Sequence, residues 1–360
     1  MALREMLERG DPIVVVDVRK VEEHAEWAIP GSVHYDAYDA LNAGDEHAMR
    51  GFDLPDGAPV VTVCGAGKTS LIAADQLRRR GCEASSLEGG MKAWSLAWNA
   101  AEVETPGSDA KVVQIRRTGK GCLSYLIGSE GEAAVIDASV APEVYSNLAG
   151  ERGWRISHVF DTHVHADHLS RSRMLAELTG ARLYMPNGAP LSYAFSPLAS
   201  GDTLEVGSAR VEVLRTPGHT GESTSYLLDG SALFTGDTLF LSSVGRPDLG
   251  ATPARARDKA RKLYDSLERL LKLGPDTLVL PGHASEPVPF DGKPVAALLS
   301  EVRENVEILR ESEETFAERV ADRVPAAPSN YESIVGLNRA GRFPEDLTDL
   351  EAGANRCAAG

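Results

Sequence analysis

The chain is poor in cysteine: four in 360 residues, at Cys64, Cys82, Cys122 and Cys357, and none in a CxxC spacing. That excludes a disulfide-built scaffold and fits a reduced, cytoplasmic protein. No apolar run reaches the ~18 residues that a membrane helix needs, so no membrane partner is expected. The segment from Met1 to Asp11 is charged throughout and lacks the apolar centre of a signal peptide. Positive charge is in deficit. Against 53 acidic residues stand 37 basic ones, a net charge of -16. Such a surface repels phosphate backbones, so no nucleic-acid partner is expected. A small anionic substrate remains compatible, because a metal or local cations can dominate at a site.

What is present is ordinary for a globular protein, with 42% hydrophobic and 25% charged residues. At about 150 residues per domain the length predicts two domains. Residues 1–100 read as alternating short strands and helices: strands at 12–18, 59–64 and 84–87, helices at 4–9, 21–28 and 70–80. That alternation predicts a small parallel α/β unit. Residues 101–110 hold Pro106, Gly107, Ser108 and Asp109 and read as a linker. Over 111–360 runs of strands are followed by covering helices, including one at 254–273 and a charged one at 295–320. This predicts a sheet-helix sandwich with a C-terminal helical tail.

Of nine histidines, five fall in three short motifs: His163-Val164-His165-Ala166-Asp167-His168, Pro217-Gly218-His219-Thr220 and Pro281-Gly282-His283. Each follows an apolar strand, and Asp237 ends a fourth. His163 and His165 are two apart, so in extended chain they point the same way. Asp167 and His168 are expected where a helix begins. Imidazole and carboxylate together suit zinc, iron or manganese. One such histidine would read as a satisfied turn residue; the combination reads as a metal site. His24, His34, His47 and His158 lack that context and read as surface or structural.

Thr162 to His168, with His219, Asp237 and His283, resembles the metallo-β-lactamase superfamily over roughly 112–286. The resemblance implies an αββα sandwich with metal at one sheet edge. Within it, glyoxalase II thioesterases use all seven ligand candidates for two metals. Persulfide dioxygenases bind one iron through two histidines and an aspartate, here His163, His219 and Asp237. The chain is more similar to the dioxygenases, on Gly121 to Leu126, Thr216 to Thr220, Gly236 to Phe240 and Gly245 to Leu249. That implies one Fe(II) per chain, with positions open for O2 and a substrate sulfur. His165, Asp167, His168 and His283 then serve as neighbours of the ligands, or as ligands of a second metal in a two-zinc enzyme. Arg246 reads either as a contact for an anionic substrate or as a structural ion pair.

Cys64-Gly65-Ala66-Gly67-Lys68-Thr69-Ser70 ends a strand and opens a helix. Loop and helix amides there favour a thiolate, and Lys68 adds a cation. A phosphate loop is excluded, since Thr62 stands where its first glycine is required. With Val16 to Arg19, Ile29 to Ser32 and Leu87 to Trp94, this segment resembles a rhodanese over about residues 3–98. The resemblance implies that Cys64 carries sulfane sulfur as a persulfide. Thr69 takes the place of the arginine common in such loops, which leaves activity and donor preference open; Lys68 is a partial substitute.

Together the two resemblances imply a persulfide dioxygenase. It oxidises a low-molecular-weight thiol persulfide to sulfite with O2, coupled to a sulfurtransferase that uses thiosulfate or a persulfide. The alternative is a two-zinc glyoxalase II-type thioesterase with a sulfur-carrier or sensor domain. The long segment after His283 offers surface for a homodimer.

Overall fold

The computed structural model describes residues 2–322, Ala327, 330–353 and 357–359. The N-terminal unit is a four-stranded parallel sheet in the order Val33–His34, Val14–Asp17, Val60–Val63, Ala84–Ser86. Strand Val60–Val63 is buried on every residue, which explains its β-branched, non-alternating sequence. Helices Ala2–Arg9 and Lys68–Arg79 fall close to the expected spans.

The larger unit is a sandwich of two sheets. Seven strands form one, ending at its edge with Leu123–Ser129, Lys111–Arg116 and Asn99–Val103. Six form the other, including Ala209–Arg215, Ala232–Gly236 and Leu278–Pro281. Their facing sides share one core, in which Tyr125, Phe160, Tyr226, Phe234 and Leu280 are almost fully buried. Helices cover the outside: Pro142–Glu151 and Ser172–Thr179 on the first sheet, Pro253–Leu270 and Glu313–Asp322 on the second. Two expectations need correction. The stretch expected as a linker over 101–110 opens inside a strand: Asn99–Val103 pairs antiparallel with Lys111–Arg116, and only 104–110 turns between them. Its Ala-Ala-Glu-Val sequence is too weakly apolar to signal an edge strand. The helix expected over 295–320 is broken into strand Ala297–Leu298, helix Leu299–Asn305, a single turn Glu307–Arg310 and helix Glu313–Asp322. Val302, Leu309, Phe316 and Val320 from these pieces still pack into one core with the long helix, since their spacing keeps them on one stripe.

The two units are packed, not strung. Trp27 Nε1 donates to the Thr118 carbonyl at 3.2 Å and Arg117 Nε to the Ser95 carbonyl at 2.7 Å. The Trp94 ring lies 6.2 Å from that of Phe290. Among the described residues no helix is long and apolar enough to cross a membrane.

Candidate metal centre

Four strand ends deliver the site. The loop after Arg155–Phe160 carries His163 to His168, the turn after Ala209–Arg215 carries His219, Asp237 follows Ala232–Gly236, and His283 follows Leu278–Pro281. Asp167 and His168 sit in an irregular loop, not at a helix start as expected; the next helix begins at Ser172. Burial is nearly complete, with His163 1%, His219 2% and Asp237 2% exposed. Asn338 holds the loop, its Nδ2 donating to the carbonyls of His165 at 2.8 Å and His168 at 2.9 Å. Gly245 permits close approach: a Cβ there would overlap the Asp237 carbonyl oxygen.

The donor atoms divide into two groups. His163 Nε2, His219 Nε2 and Asp237 Oδ2 are buried with no hydrogen-bond partner. His163 Nε2 lies 3.8 Å and His219 Nε2 3.6 Å from Asp237 Oδ2. Unpaired buried polar atoms are costly, and three converging on one point fit a cation. Their orientation is fixed from behind. His163 Nδ1 meets Thr162 Oγ1 at 2.9 Å, and His219 Nδ1 donates to the Arg246 carbonyl at 2.8 Å. Such outer bonds select the tautomer that offers Nε2 to a metal. Burial pushes both imidazoles toward the neutral, ligating form.

The second group is largely self-satisfied. His283 donates from Nδ1 to Asp237 Oδ1 at 2.7 Å and from Nε2 to Asp167 Oδ2 at 2.8 Å. Burial opposes its protonation, but the Asp237 and Asp167 carboxylates override that and raise its pKa well above the ordinary value. His283 is thus bridged between two carboxylates. Burial likewise opposes ionisation of Asp237, and the facing histidines, His283 first, more than offset it. His168 Nδ1 meets Asp167 Oδ1 at 3.1 Å and His165 Nε2 meets Asp137 Oδ1 at 3.2 Å. His165 Nδ1 and His168 Nε2 remain without partners.

Sequence reasoning missed several neighbours. Asp137 accepts from the Thr162 amide at 2.7 Å and from its hydroxyl at 2.8 Å, so it anchors the histidine loop from the adjoining strand. Cys122 is fully buried and its thiol donates to Asp167 Oδ2 at 3.2 Å. Glu351 is fully buried between Arg117 and Arg171 and accepts from the Leu169 amide at 2.7 Å. Arg246 is 1% exposed, with Nε and Nη2 each 2.8 Å from Asp248. This is the ion-pair reading, and the residue does not line the cavity beside the metal ligands. That cavity, about 680 Å³, runs from His219 past Arg255, Lys259, Lys262 and Tyr331.

In the smaller unit, the Cys64 sulfur accepts from the Gly67 amide and the Ser70 hydroxyl, both at 3.2 Å. Burial pushes the thiol pKa up, but Ser70 and the amides of Ala66 and Gly67 outweigh it, so the pKa falls below that of an ordinary cysteine. A Cβ at Gly90 would overlap the Cys64 carbonyl oxygen, so only glycine lets helix Gly90–Trp94 close on the loop. Cys64 is 2% exposed, whereas Lys68 points outward and Thr69 is buried on Asn42.

The metallo-beta-lactamase superfamily pattern matches residues 117–283, and the rhodanese-like domain pattern residues 2–97. The structure is similar to that of ETHE1 from Myxococcus xanthus, 34% identical, covering 63% of this chain and 97% of that one with a TM-score of 0.56. The chain belongs to the metallo-beta-lactamase superfamily. It carries a rhodanese-like domain ahead of the superfamily fold. A metallo-beta-lactamase from Staphylococcus aureus subsp. aureus COL is 28% identical and covers 67% of this chain and 74% of that one, with a TM-score of 0.60. Hydroxyacylglutathione hydrolases are also similar: that of Cereibacter sphaeroides is 38% identical over 160 residues, and that of Rhodospirillum rubrum 35% over 156. The chain spans 58% and 57% of those relatives, and the matches cover 43% and 42% of this chain.

Proposed function

We propose that this superfamily enzyme is a persulfide dioxygenase with one iron, held by His163, His219 and Asp237. One observation carries the reading: three buried, unpartnered donor atoms converge, while His283 spends both ring nitrogens on carboxylates. Two histidines and one carboxylate on one face are the set that suits non-haem Fe(II). The ETHE1 likeness over nearly the whole of that chain is consistent with it.

Bound there, iron supplies the redox chemistry by which O2 reaches a substrate sulfur. The overall change balances as persulfide, O2 and water giving thiol and sulfite. The chain's own groups do the rest. The Arg246 carbonyl and Thr162 hydroxyl aim the two imidazoles. His283 Nδ1 binds Asp237 Oδ1 and leaves Oδ2 facing the Nε2 atoms of His163 and His219. The cavity past Arg255, Lys259 and Lys262 presents cations to an anionic thiol carrier. In the smaller unit, the Cys64 thiolate attacks the sulfane sulfur of thiosulfate and releases sulfite. The resulting persulfide sulfur then passes to a low-molecular-weight thiol.

A second reading is a two-zinc thioesterase, favoured by the hydroxyacylglutathione hydrolase relatives and by the free His165 Nδ1 and His168 Nε2. The test compares two substrates made from the same thiol on the purified full chain. The dioxygenase reading expects O2 uptake and equimolar sulfite from the persulfide. Hydrolysis of the thioester with no O2 uptake would overturn it.

A further inference from the structure

One turn of the larger unit is built against both sites. In the smaller unit the start of helix Gly90–Trp94 lies on the Cys64 loop: the Met91 amide donates to the Cys64 carbonyl at 2.9 Å and the Lys92 amide to the Gly65 carbonyl at 3.0 Å. The end of that helix lies on turn 117–122 of the larger unit. Arg117 Nε donates to the Ser95 carbonyl at 2.7 Å, the Gly119 amide donates to the Ala97 carbonyl at 3.3 Å, and a Cβ at Gly119 would overlap the Trp94 carbonyl. The other side of the same turn belongs to the metal centre. Arg117 Nη1 and Nη2 donate to Glu351 at 3.3 and 3.1 Å, and Glu351 accepts from the Leu169 amide beside His168. The Gly121 carbonyl accepts from the Ala284 amide at 2.8 Å, and Cys122 forms a β-bridge with His283. Arg117 is fully buried, so a single guanidinium holds both the helix behind Cys64 and the anchor of the histidine loop.

We propose that this turn, with Arg117 as its joint, couples the two sites: a group added to the Cys64 sulfur weakens the hold of His163, His219 and Asp237 on their ion. Cys64 is 2% exposed, and its sulfur already meets the Gly67 amide and the Ser70 hydroxyl, each at 3.2 Å. An added group therefore has to move the loop. The loop does not move alone, because the missing Cβ of Gly90 lets helix Gly90–Trp94 close directly on it. Close-packed interiors pass such a displacement on instead of absorbing it. A shift of the helix end draws the Ser95 carbonyl away from Arg117, and Arg117 is one of the two guanidiniums that fix Glu351. The histidine loop is thus held fully only while Cys64 is empty. In the reaction proposed above the added group is the sulfane sulfur, so a loaded smaller unit relaxes the metal centre until the sulfur has passed to the thiol. The coupling itself needs only the two sites. It stands whether the ion is iron or zinc, and whether or not Cys64 turns over thiosulfate.

The probe is zinc(II), whose affinity for the full chain is measured by competition with a chromophoric chelator before and after carboxamidomethylation of Cys64. Iodoacetamide places the label on the zinc-loaded chain in a Cys82→Ser background, peptide mapping confirms that it lies on Cys64 alone, and the ion is then removed. Labelling should weaken binding of the first equivalent by about 5-fold or more, the lower end of ordinary coupling between sites, while excess ion still fills the centre. Cys64→Ser taken through the same treatment should bind zinc as the unlabelled chain does. Arg117→Lys keeps a positive charge beside Glu351, but one ammonium cannot serve Ser95 and Glu351 as the guanidinium fork does. Gly119→Ala pushes the Trp94 carbonyl off the turn. In each of these two variants the label should change zinc affinity by less than about 2-fold, below the range of ordinary coupling. Coupling is reciprocal, so zinc added to unlabelled wild type should slow hydrogen exchange at the Met91 and Lys92 amides, a readout that needs no variant. An unchanged zinc affinity in the labelled, folded chain overturns the proposal. So does full coupling in either variant, which would route it past the turn, and so does zinc that leaves exchange at Met91 and Lys92 as it was. None of these measurements uses O2 uptake or thiosulfate turnover, which test the proposed function separately.

Discussion

Replacing Glu351 by glutamine tests how the histidine loop is held. Its carboxylate is fully buried, with oxygens 2.7 Å from both Arg171 guanidinium nitrogens, 3.1 and 3.3 Å from those of Arg117, and 2.7 Å from the Leu169 amide. Glutamine keeps the shape but leaves two buried guanidiniums without a counter-charge. Breaking a buried ion pair by removing one partner costs about 3–5 kcal/mol. For a unit of this size each kcal/mol shifts Tm by roughly 2–4 °C, so a fall of roughly 6–20 °C is expected in the unfolding of the larger unit. Calorimetry on wild type and variant measures it, with metal content as a second readout, because Leu169 adjoins His168. The pH dependence has a definite sign. Burial works against the Glu351 carboxylate, but Arg117 and Arg171 hold its folded pKa below the unfolded value of about 4.3. Its stabilisation is therefore complete above that value and is lost as pH falls toward the folded pKa. Wild type and variant should converge in stability on acidification. A Tm shift under about 2 °C at neutral pH, or a gap that widens in acid, would refute the anchoring role.

Other outcomes follow from the cysteine loop. Ser70→Ala removes one hydrogen bond to the Cys64 sulfur and should slow its alkylation at neutral pH by roughly 2–10-fold, the equivalent of about 0.5–1.5 kcal/mol; an unchanged rate would show the hydroxyl to be idle. A small electrophile should label Cys64 before Cys82, whose thiol pKa burial raises, as peptide mapping would reveal. Gly90→Ala, at φ 56° and against the Cys64 carbonyl, should cost at least about 1–3 kcal/mol and abolish thiosulfate turnover while metal content stays intact. Cys64→Ser should stop thiosulfate-dependent O2 uptake yet spare uptake from preformed persulfide; equal loss of both in a folded, metallated variant would place Cys64 in the oxidation site.

Much of this was legible in the sequence because the chemistry is concentrated at strand ends. The HxHxDH run, His219, Asp237 and His283 do converge, since each follows a buried strand of the sandwich. The glycine-rich loop does cradle Cys64. What the sequence hid was long-range pairing. Asp137 looks like any residue after a strand, yet it braces His165 and Thr162. Glu351 and Cys357 lie in a polar tail with no motif, and only tertiary packing brings them to the histidine loop and to Asp237. Arg246 follows a glycine near the site, but Asp248, two residues on, claims its guanidinium. The broken helix after 295 could not be seen because its charged, helix-forming sequence carries no glycine or proline at the break near Val306.

The central claim is that one metal sits on His163, His219 and Asp237 while His283 stands aside. The most direct measurement is metal identity and stoichiometry on anaerobically purified full-length protein, repeated for Asp237→Ala and His283→Gln. One iron per chain is expected in wild type, none in Asp237→Ala, and iron retained in His283→Gln with affinity weakened by no more than about 10–100-fold. Two zinc ions per purified chain, with iron absent and His283→Gln losing one of them, would contradict the account.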